Sequence, residues 1–487
     1  MSHPFVSASL WSNCPKKAMT LALAGPLALA IPLALLMPAK AQTLAPGQSP
    51  APAPSEILRP QQVRALPGQL DRTLLVNDNN PEVVKGPGIL LSTFNGKGRG
   101  QAAAHLNQPL EGSFELFSHH IFAGSGPKAA STLWLGVLVG NRSDKPVVLR
   151  IPSGASWLSQ PDAPFLPLPG QLEHDGSSVY SGPGGRVAGD LLAGAPRPPA
   201  LPSSLSLAPQ ATDLLVSLPI PVQGLDPLLN GRTLQVRFES DGPVSLATLA
   251  SIGDTAPSKE QWLALLDGEL SEKEHAPSPK GSGGPIIYSR VSGVQVGRLW
   301  KARLTDPGSQ HLSIGDQPIS WPIASLQRGS FGTGQVQSAP LKVFYPNTAW
   351  EAHGNYGVEY DLDLPLRNNG KQPQQLAIAL ESPLKSDRAE GGLRFKTPPG
   401  KPIFFRGTVE VRGLDGAPGR RFFHLVLRQG EQAPPLGTVG LAPGEQRNLR
   451  LRLIIPADIT PVQVLSVYPV TPVSPSPPGA PVKQSGN

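Results

Sequence analysis

Val358-Glu359-Tyr360-Asp361-Leu362-Asp363-Leu364-Pro365-Leu366, followed by Asn368-Asn369-Gly370-Lys371-Gln372-Pro373, is the stretch whose reading decides the fold class. Val358, Tyr360, Leu362 and Leu364 alternate with acidic residues. In an extended chain successive side chains point to opposite sides, so the four share one face of a β-strand. The Asn/Gly/Pro cluster then turns the chain, and Leu376–Leu380 returns. Pro suits the end of such a turn, because inside a sheet its missing N–H would leave a gap in the ladder.

The same layout occurs earlier. Leu133–Val139 is an apolar run suited to a buried strand, Asn141-Arg142-Ser143-Asp144-Lys145-Pro146 is a turn, and Val147–Ile151 returns. Both turns read Asn, four residues, Pro. A second pair of segments follows each: Leu207-Ala208-Pro209-Gln210 before Leu214–Leu218, and Leu441-Ala442-Pro443-Gly444 before Leu449–Ile455. The spacing is 66 residues from Asn141 to Leu207 and 73 from Asn368 to Leu441. This predicts a divergent internal repeat and a mainly β fold. It would comprise two β-sandwich modules, Ig-like and of Greek-key type, at 57–250 and 336–467, with long Pro/Gly-rich loops. One short helix is expected. Ser258 and Gln261 have capping-box spacing, and Trp262, Leu265, Leu266 and Leu270 fall on one helical face. That helix, the Pro/Ser/Gly loop at 275–285 and connecting strands fill 251–335.

The ends read differently. Lys16 and Lys17 precede an apolar run, Ala18 to Met37, and Ala39-Lys40-Ala41 supplies the small residues of a cleavage site. Residues 1–41 are therefore expected to be an export signal, 42–56 a Pro/Ala/Ser linker and 468–487 a Pro-rich disordered tail. Removal of the signal would take Cys14, the only cysteine, and three of 42 basic residues, lowering the net charge from +7 to +4. The expected product is a cysteine-free periplasmic or extracellular protein with no transmembrane segment.

Several segments together resemble a known family. They are Leu66-Pro67-Gly68-Gln69-Leu70-Asp71, Gly88–Phe94, Ala104-His105-Leu106-Asn107, His119-His120-Ile121, Leu158-Ser159-Gln160-Pro161-Asp162-Ala163-Pro164-Phe165, and Ala352-His353-Gly354-Asn355-Tyr356-Gly357-Val358-Glu359-Tyr360. They look like a family of exported cyanobacterial proteins of unknown function, over roughly Glu56 to Val467. The resemblance implies export and nearly whole-chain coverage. It brings no activity and no site residues.

Two catalytic readings can be set out. Gly281-Ser282-Gly283-Gly284-Pro285 resembles the nucleophile loop of trypsin-like proteases, Ala103-Ala104-His105 their histidine segment, and Asp213 stands where their acid would come in chain order. Lys280-Gly281 departs from the Gly-Asp expected before the serine, and a string such as SGGP arises easily in a Pro/Ser/Gly loop. A metal could instead draw on His105, His119 and His353. No HxH or HxxxH pair occurs, and His119 and adjacent His120 would point to opposite faces of a strand. Gly96-Lys97-Gly98-Arg99-Gly100 offers successive N–H groups to an anion but reads as a solvated loop tip.

Charge is more informative. Lys385 to Arg452 holds 13 Lys/Arg and 6 Asp/Glu, a net +7, which leaves −3 for the rest of the processed chain. Within it Ile403–Arg412 and Arg421–Arg428 read as a hairpin carrying Arg406, Arg412 and Arg428. A basic face of this kind would attract anionic polysaccharide, lipid head groups or an acidic envelope protein. No nucleic-acid recognition module is visible. The sequence therefore favours a non-enzymatic, cofactor-free binding or scaffolding protein of the cell envelope, with Arg406, Arg412 and Arg428 as binding residues. The alternative is a secreted hydrolase, using either Ser282 with His105 and Asp213 or a metal on the histidines.

Overall fold

The computed structural model describes residues 55–124, 131–175, 179–388, 390–416 and 419–470. The expected signal at 1–41, the linker up to residue 54 and the tail from 471 lie outside the described residues. Among the described residues strands take up 47% and α-helices 5%, in sheets of 2, 5, 7 and 11 strands, none of them closed. The protein is mainly β.

The N-terminal half is organised by one 25-residue strand, Leu229–Gly253. Its first part, to Ser240, lies between Leu110–Ala123 and Val147–Leu158. After a register break at 241–243 its second part lies between Gly88–Ser92 and Thr132–Asn141. Leu234, Val236 and Phe238 point into a core shared with Phe114, Leu116, Leu135, Val137 and Leu246. By alternation Thr233, Gln235 and Arg237 point the other way, toward the C-terminal half.

There, the stretch 358–366 forms strand Glu359–Arg367, with Leu299–Arg303 on one side and Gln446–Ile454 on the other. The expected hairpin at 403–428 is present, as Ile403–Arg412 paired with Arg420–Arg428. Tyr360, Leu362 and Leu364 meet Trp321, Leu376, Ile378 and Leu380 from the facing five-stranded sheet, all within one core. Each such side chain contributes about 1.5–3 kcal/mol through burial. The stretch 251–335 ties the sheets together: Ser292–Val296 joins the 11-stranded sheet, Leu299–Arg303 the seven-stranded and Ile319–Ile323 the five-stranded one.

The repeat seen in the sequence is visible as equivalent pairing. Thr132–Asn141 pairs with Thr212–Pro221 as Glu359–Arg367 pairs with Gln446–Ile454. Val147–Leu158 pairs with Ser204–Leu207 as Gln374–Glu381 pairs with Gly437–Leu441. The two asparagines do the same work at each place. Asn141 Nδ2 donates to Lys145 O (2.6 Å) and Leu207 O (3.2 Å) while its Oδ1 accepts from Ser143 N (2.8 Å). Asn368 Nδ2 donates to Gln372 O (2.7 Å) and Leu441 O (3.0 Å) while its Oδ1 accepts from Gly370 N (2.8 Å). One amide thus clasps its own turn to the later hairpin, satisfying carbonyls that the strand ends leave over.

The described residues contain two α-helices, which corrects the expectation of one. Helix α1 (Pro183–Ala193) carries Pro183, Gly184, Gly185 and Gly189, a composition that hides it from propensity. Tertiary packing overrides that cost. Val187, Ala188, Leu191 and Leu192 are buried, and a Cβ on Gly189 would come within 3.0 Å of Thr408 Oγ1, so the glycine lets the helix lie close on strand Ile403–Arg412. Helix α2 (Lys259–Leu265) is the expected one. Both bonds of its capping box form, and Trp262 and Leu266 are buried. It stops earlier than the apolar spacing suggested, because Leu270 instead bridges to Ile89 in extended form. No helix among the described residues is long and apolar enough to cross a membrane.

The halves meet across charge. Arg237 bonds Glu115 (2.8 Å) and Glu359 (2.9 Å), Arg298 reaches Glu115 (3.0 Å), and Arg452 links Glu359 (2.6 Å) to Glu410 (2.9 Å). All three glutamates are buried. Gln235 Nε2 adds bonds to Glu115 Oε2 and to Gly357 O.

Candidate functional site

The sequence-predicted residues have distinct surroundings. Ser282 Oγ donates to Pro279 O (2.7 Å), Asp213 pairs with Lys259 (2.7 Å), and His105 Nδ1 shares a hydrogen bond with the fully buried Ser92 (2.8 Å). None of the three bonds another. His119 bonds Thr233 Oγ1 (2.8 Å), and His353 packs between the rings of Tyr288 and Trp350, 4.7 and 4.8 Å away. Burial pushes the His353 imidazole down to about 4. Among the described residues no three His, Cys, Asp or Glu side chains gather as a metal would need.

The basic hairpin is largely matched from within. Arg406 is only 6% exposed, and its guanidinium lies 5.0 Å from the Phe165 ring centre. Arg412 bonds Glu410 (2.7 Å). Arg428 alone of the three is exposed, donating from Nη1 to Lys401 O (2.8 Å). Much of the segment's positive charge meets acids outside it, as in Arg421–Glu173, Arg450–Asp361 and Arg452–Glu359.

Polar groups converge at two other places. The first lies between the halves, where Glu82, His119, Ser159, Phe165, Arg406 and Asp458 surround about 20 Å³. That holds about one water and no substrate. Burial pushes the Glu82 carboxyl up to about 7, against its ion pair with Arg290. Burial likewise raises Asp458 to about 6, against Arg406 and the N–H groups of Gly184 and Gly185 at the start of α1. His119 falls to about 3, through burial and the neighbouring His120 and Arg290.

A pH dependence follows. A carboxyl raised in the folded state favours folding while protonated, and that stability is lost as pH rises from the unfolded value through the folded one. For Asp458 the window runs from about 3.8 to about 6. Asp458→Asn keeps an acceptor for Gly184 N, now 3.0 Å from Asp458 Oδ2, and does not titrate. Its stability relative to wild type should rise by about 2–3 kcal/mol between pH 4 and pH 7. The comparison cancels the opposite contribution of His119. Urea denaturation at both pH values measures it, and a difference that does not change with pH would contradict the assignment.

The second place is roomier, about 270 Å³ beside the Asn141 clasp. Phe94 and Gly140 form its floor, and Asn95, Arg99, Arg142, Gln210, Thr212 and Ser245 complete the lining. Arg99 lies over the Phe94 ring (5.2 Å) and pairs with Asp267 (2.8 Å). Arg142 Nη2 donates to Asn107 Oδ1 (2.6 Å). The lining is donor-rich and cationic, and it contains no histidine or carboxylate. It suits an anion and offers no acid–base pair. Sequence reading placed Arg99 on a solvated tip and Arg142 in a plain turn. Only strand pairing brings the 94–99 loop, the 141–146 turn and residues 210–212 side by side.

A family described as a protein of unknown function (DUF3370) matches residues 61–469. No curated protein matches the chain.

Proposed function

The chain belongs to that family of unknown function, and we propose that it is a non-enzymatic binding protein, exported from a cyanobacterial cell and retained at the envelope through an acidic partner. The observation that carries this reading is the lining of the cleft beside Asn141: guanidinium, amide and hydroxyl groups over an aromatic floor, with no general acid or base. The equivalent strand pairing and equivalent Asn clasps support two Ig-like sandwich modules of Greek-key type as the architecture. The basic, apolar and small-residue blocks of residues 16–41 support export. Of Arg406, Arg412 and Arg428, Arg428 is the exposed one and would add most directly to long-range attraction.

Purified processed protein should be retained on acidic polysaccharide, anionic vesicles or acidic envelope protein at about 50 mM salt and released by about 500 mM, as screening of exposed charge requires. Neutral dextran should not retain it. Equal passage through all of these matrices at low salt would refute the role.

A further inference from the structure

Asparagine is followed by glycine at three places in the chain: Asn95-Gly96, Asn230-Gly231 and Asn369-Gly370. A glycine leaves the backbone N–H after the asparagine uncrowded, so the side-chain amide can meet it. By sequence the three pairs are alike, and the structure separates them. We propose that Asn95 is a site of spontaneous modification, where the Asn95-Gly96 pair closes to a succinimide and reopens as aspartate or isoaspartate, while the other two pairs are held as amides.

The chemistry sets the requirements. Gly96 N, having lost its proton, adds to Asn95 Cγ. A new C–N bond forms, the Cγ–Nδ2 bond breaks, and Nδ2 leaves as ammonia. One water then opens the ring at either carbonyl. The sum is asparagine and water going to a carboxylate and ammonium, with no other reactant. The attacking nitrogen must be free of an acceptor, and the amide must be reachable and polarised.

Asn95 is exposed, and its Oδ1 accepts from Lys97 N (3.0 Å). That bond polarises the amide and puts a donor in place for the charge that gathers on Oδ1 during addition. Among the described residues Gly96 N and Asn95 Nδ2 donate no hydrogen bond. Asn369 is exposed too, but Gly370 N donates to Asn368 Oδ1 (2.8 Å) and Asn369 Nδ2 donates to Ser313 Oγ (2.6 Å). Nucleophile and leaving group are both engaged there. Asn230 is closed to solvent, its Nδ2 donates to Gln160 O and Pro221 O, and Gly231 N donates to Ser159 Oγ (2.9 Å). Exposure alone does not pick the site. The hydrogen bonds do.

Conversion sets a carboxylate among Arg99 and Arg142 in a cleft lining that otherwise contains no acid. Older molecules therefore carry a less cationic cleft than new ones. The reaction itself does not depend on what the cleft binds.

The test ages the purified protein at mildly alkaline pH, beside a sample kept unfolded in guanidinium chloride, and maps both by peptide mass spectrometry. In the folded protein Asn95 should exchange amide for carboxylate at least about tenfold faster than Asn369 or Asn230, and in the unfolded chain the three rates should lie within about threefold. An acidic form should grow on ion exchange with the same time course. Asn95→Gln, which has to close a larger and slower-forming ring, should abolish that form. A folded-state rate at Asn95 no faster than at Asn369 would overturn the proposal. So would a lead for Asn95 that persists undiminished in the unfolded chain, or an acidic form that survives Asn95→Gln.

Discussion

Arg237→Met should destabilise the protein by about 3–5 kcal/mol in chemical denaturation at neutral pH. Among the described residues Arg237 is the one cation that bonds a buried carboxylate from each half, Glu115 at 2.8 Å and Glu359 at 2.9 Å. Removing one member of a buried ionic cluster leaves two buried carboxylates with one cation each, Arg298 for Glu115 and Arg452 for Glu359, and such a loss costs far more than the pair contributes in net terms. Burial already raises the Glu115 carboxyl, and the arginines Arg237 and Arg298 and the Gln235 amide oppose that rise. Without Arg237 the carboxylates face each other across the joint. Two further readings separate this cause from lost packing. The defect should shrink as pH falls and the carboxyls protonate. Adding Glu115→Gln should recover part of the loss, giving a coupling energy of about 1 kcal/mol or more in a double-mutant cycle. A loss below about 1 kcal/mol, or one unaffected by pH and by the second substitution, would mean that the joint is held by its apolar contacts instead.

Asn368→Ala should cost about 3 kcal/mol, and Asn141→Ala a similar amount. Each asparagine is nearly inaccessible and satisfies two or more backbone carbonyls and one N–H. The alanine leaves these groups buried without partners, at about 1–3 kcal/mol for each one that water cannot reach. Asn368→Asp retains the acceptor for Gly370 N but sets a carboxylate against the carbonyls of Gln372 and Leu441, so it should be no milder than alanine. Thermal or urea unfolding of the three variants decides the matter. Losses under about 1 kcal/mol at both positions would show that the turns hold without their clasps and that the matching spacing is incidental to stability.

Much of the fold was legible because it rests on local rules. The alternation of Val358, Tyr360, Leu362 and Leu364 marked a strand whose apolar face is core. The Asn-to-Pro turns and their spacing to Leu207 and Leu441 picked out, as a suspected repeat, residues that the structure joins by hydrogen bonds more than sixty positions apart. Ser258 and Gln261 announced helix α2 through a short-range cap. Helix α1 was not legible, since its glycines and proline argue against a helix and only the surface of strand Ile403–Arg412 makes one favourable there. The charge reading was incomplete for a related reason. Counting found the surplus between Lys385 and Arg452, but the partners Glu173, Glu359 and Asp361 come from other strands, so the count could not tell a free cation from a paired one. For the same reason Arg142 passed as an ordinary turn residue.

The order of strands in the five-stranded sheet carries a consequence for timing. Its middle position is held by Gln463–Val470, flanked by Ile319–Ile323 and Gln374–Glu381. The centre of that sheet is therefore the last described strand to be synthesised. Leu465 and Val467 belong to the same core as Trp321 and Tyr360, so this core stays open on the ribosome until residue 470 has been made. The five-stranded sheet therefore cannot close before residue 470 has left the ribosome. Under the export proposed above, that delay keeps the polypeptide extended and translocatable until the closing strand has been made.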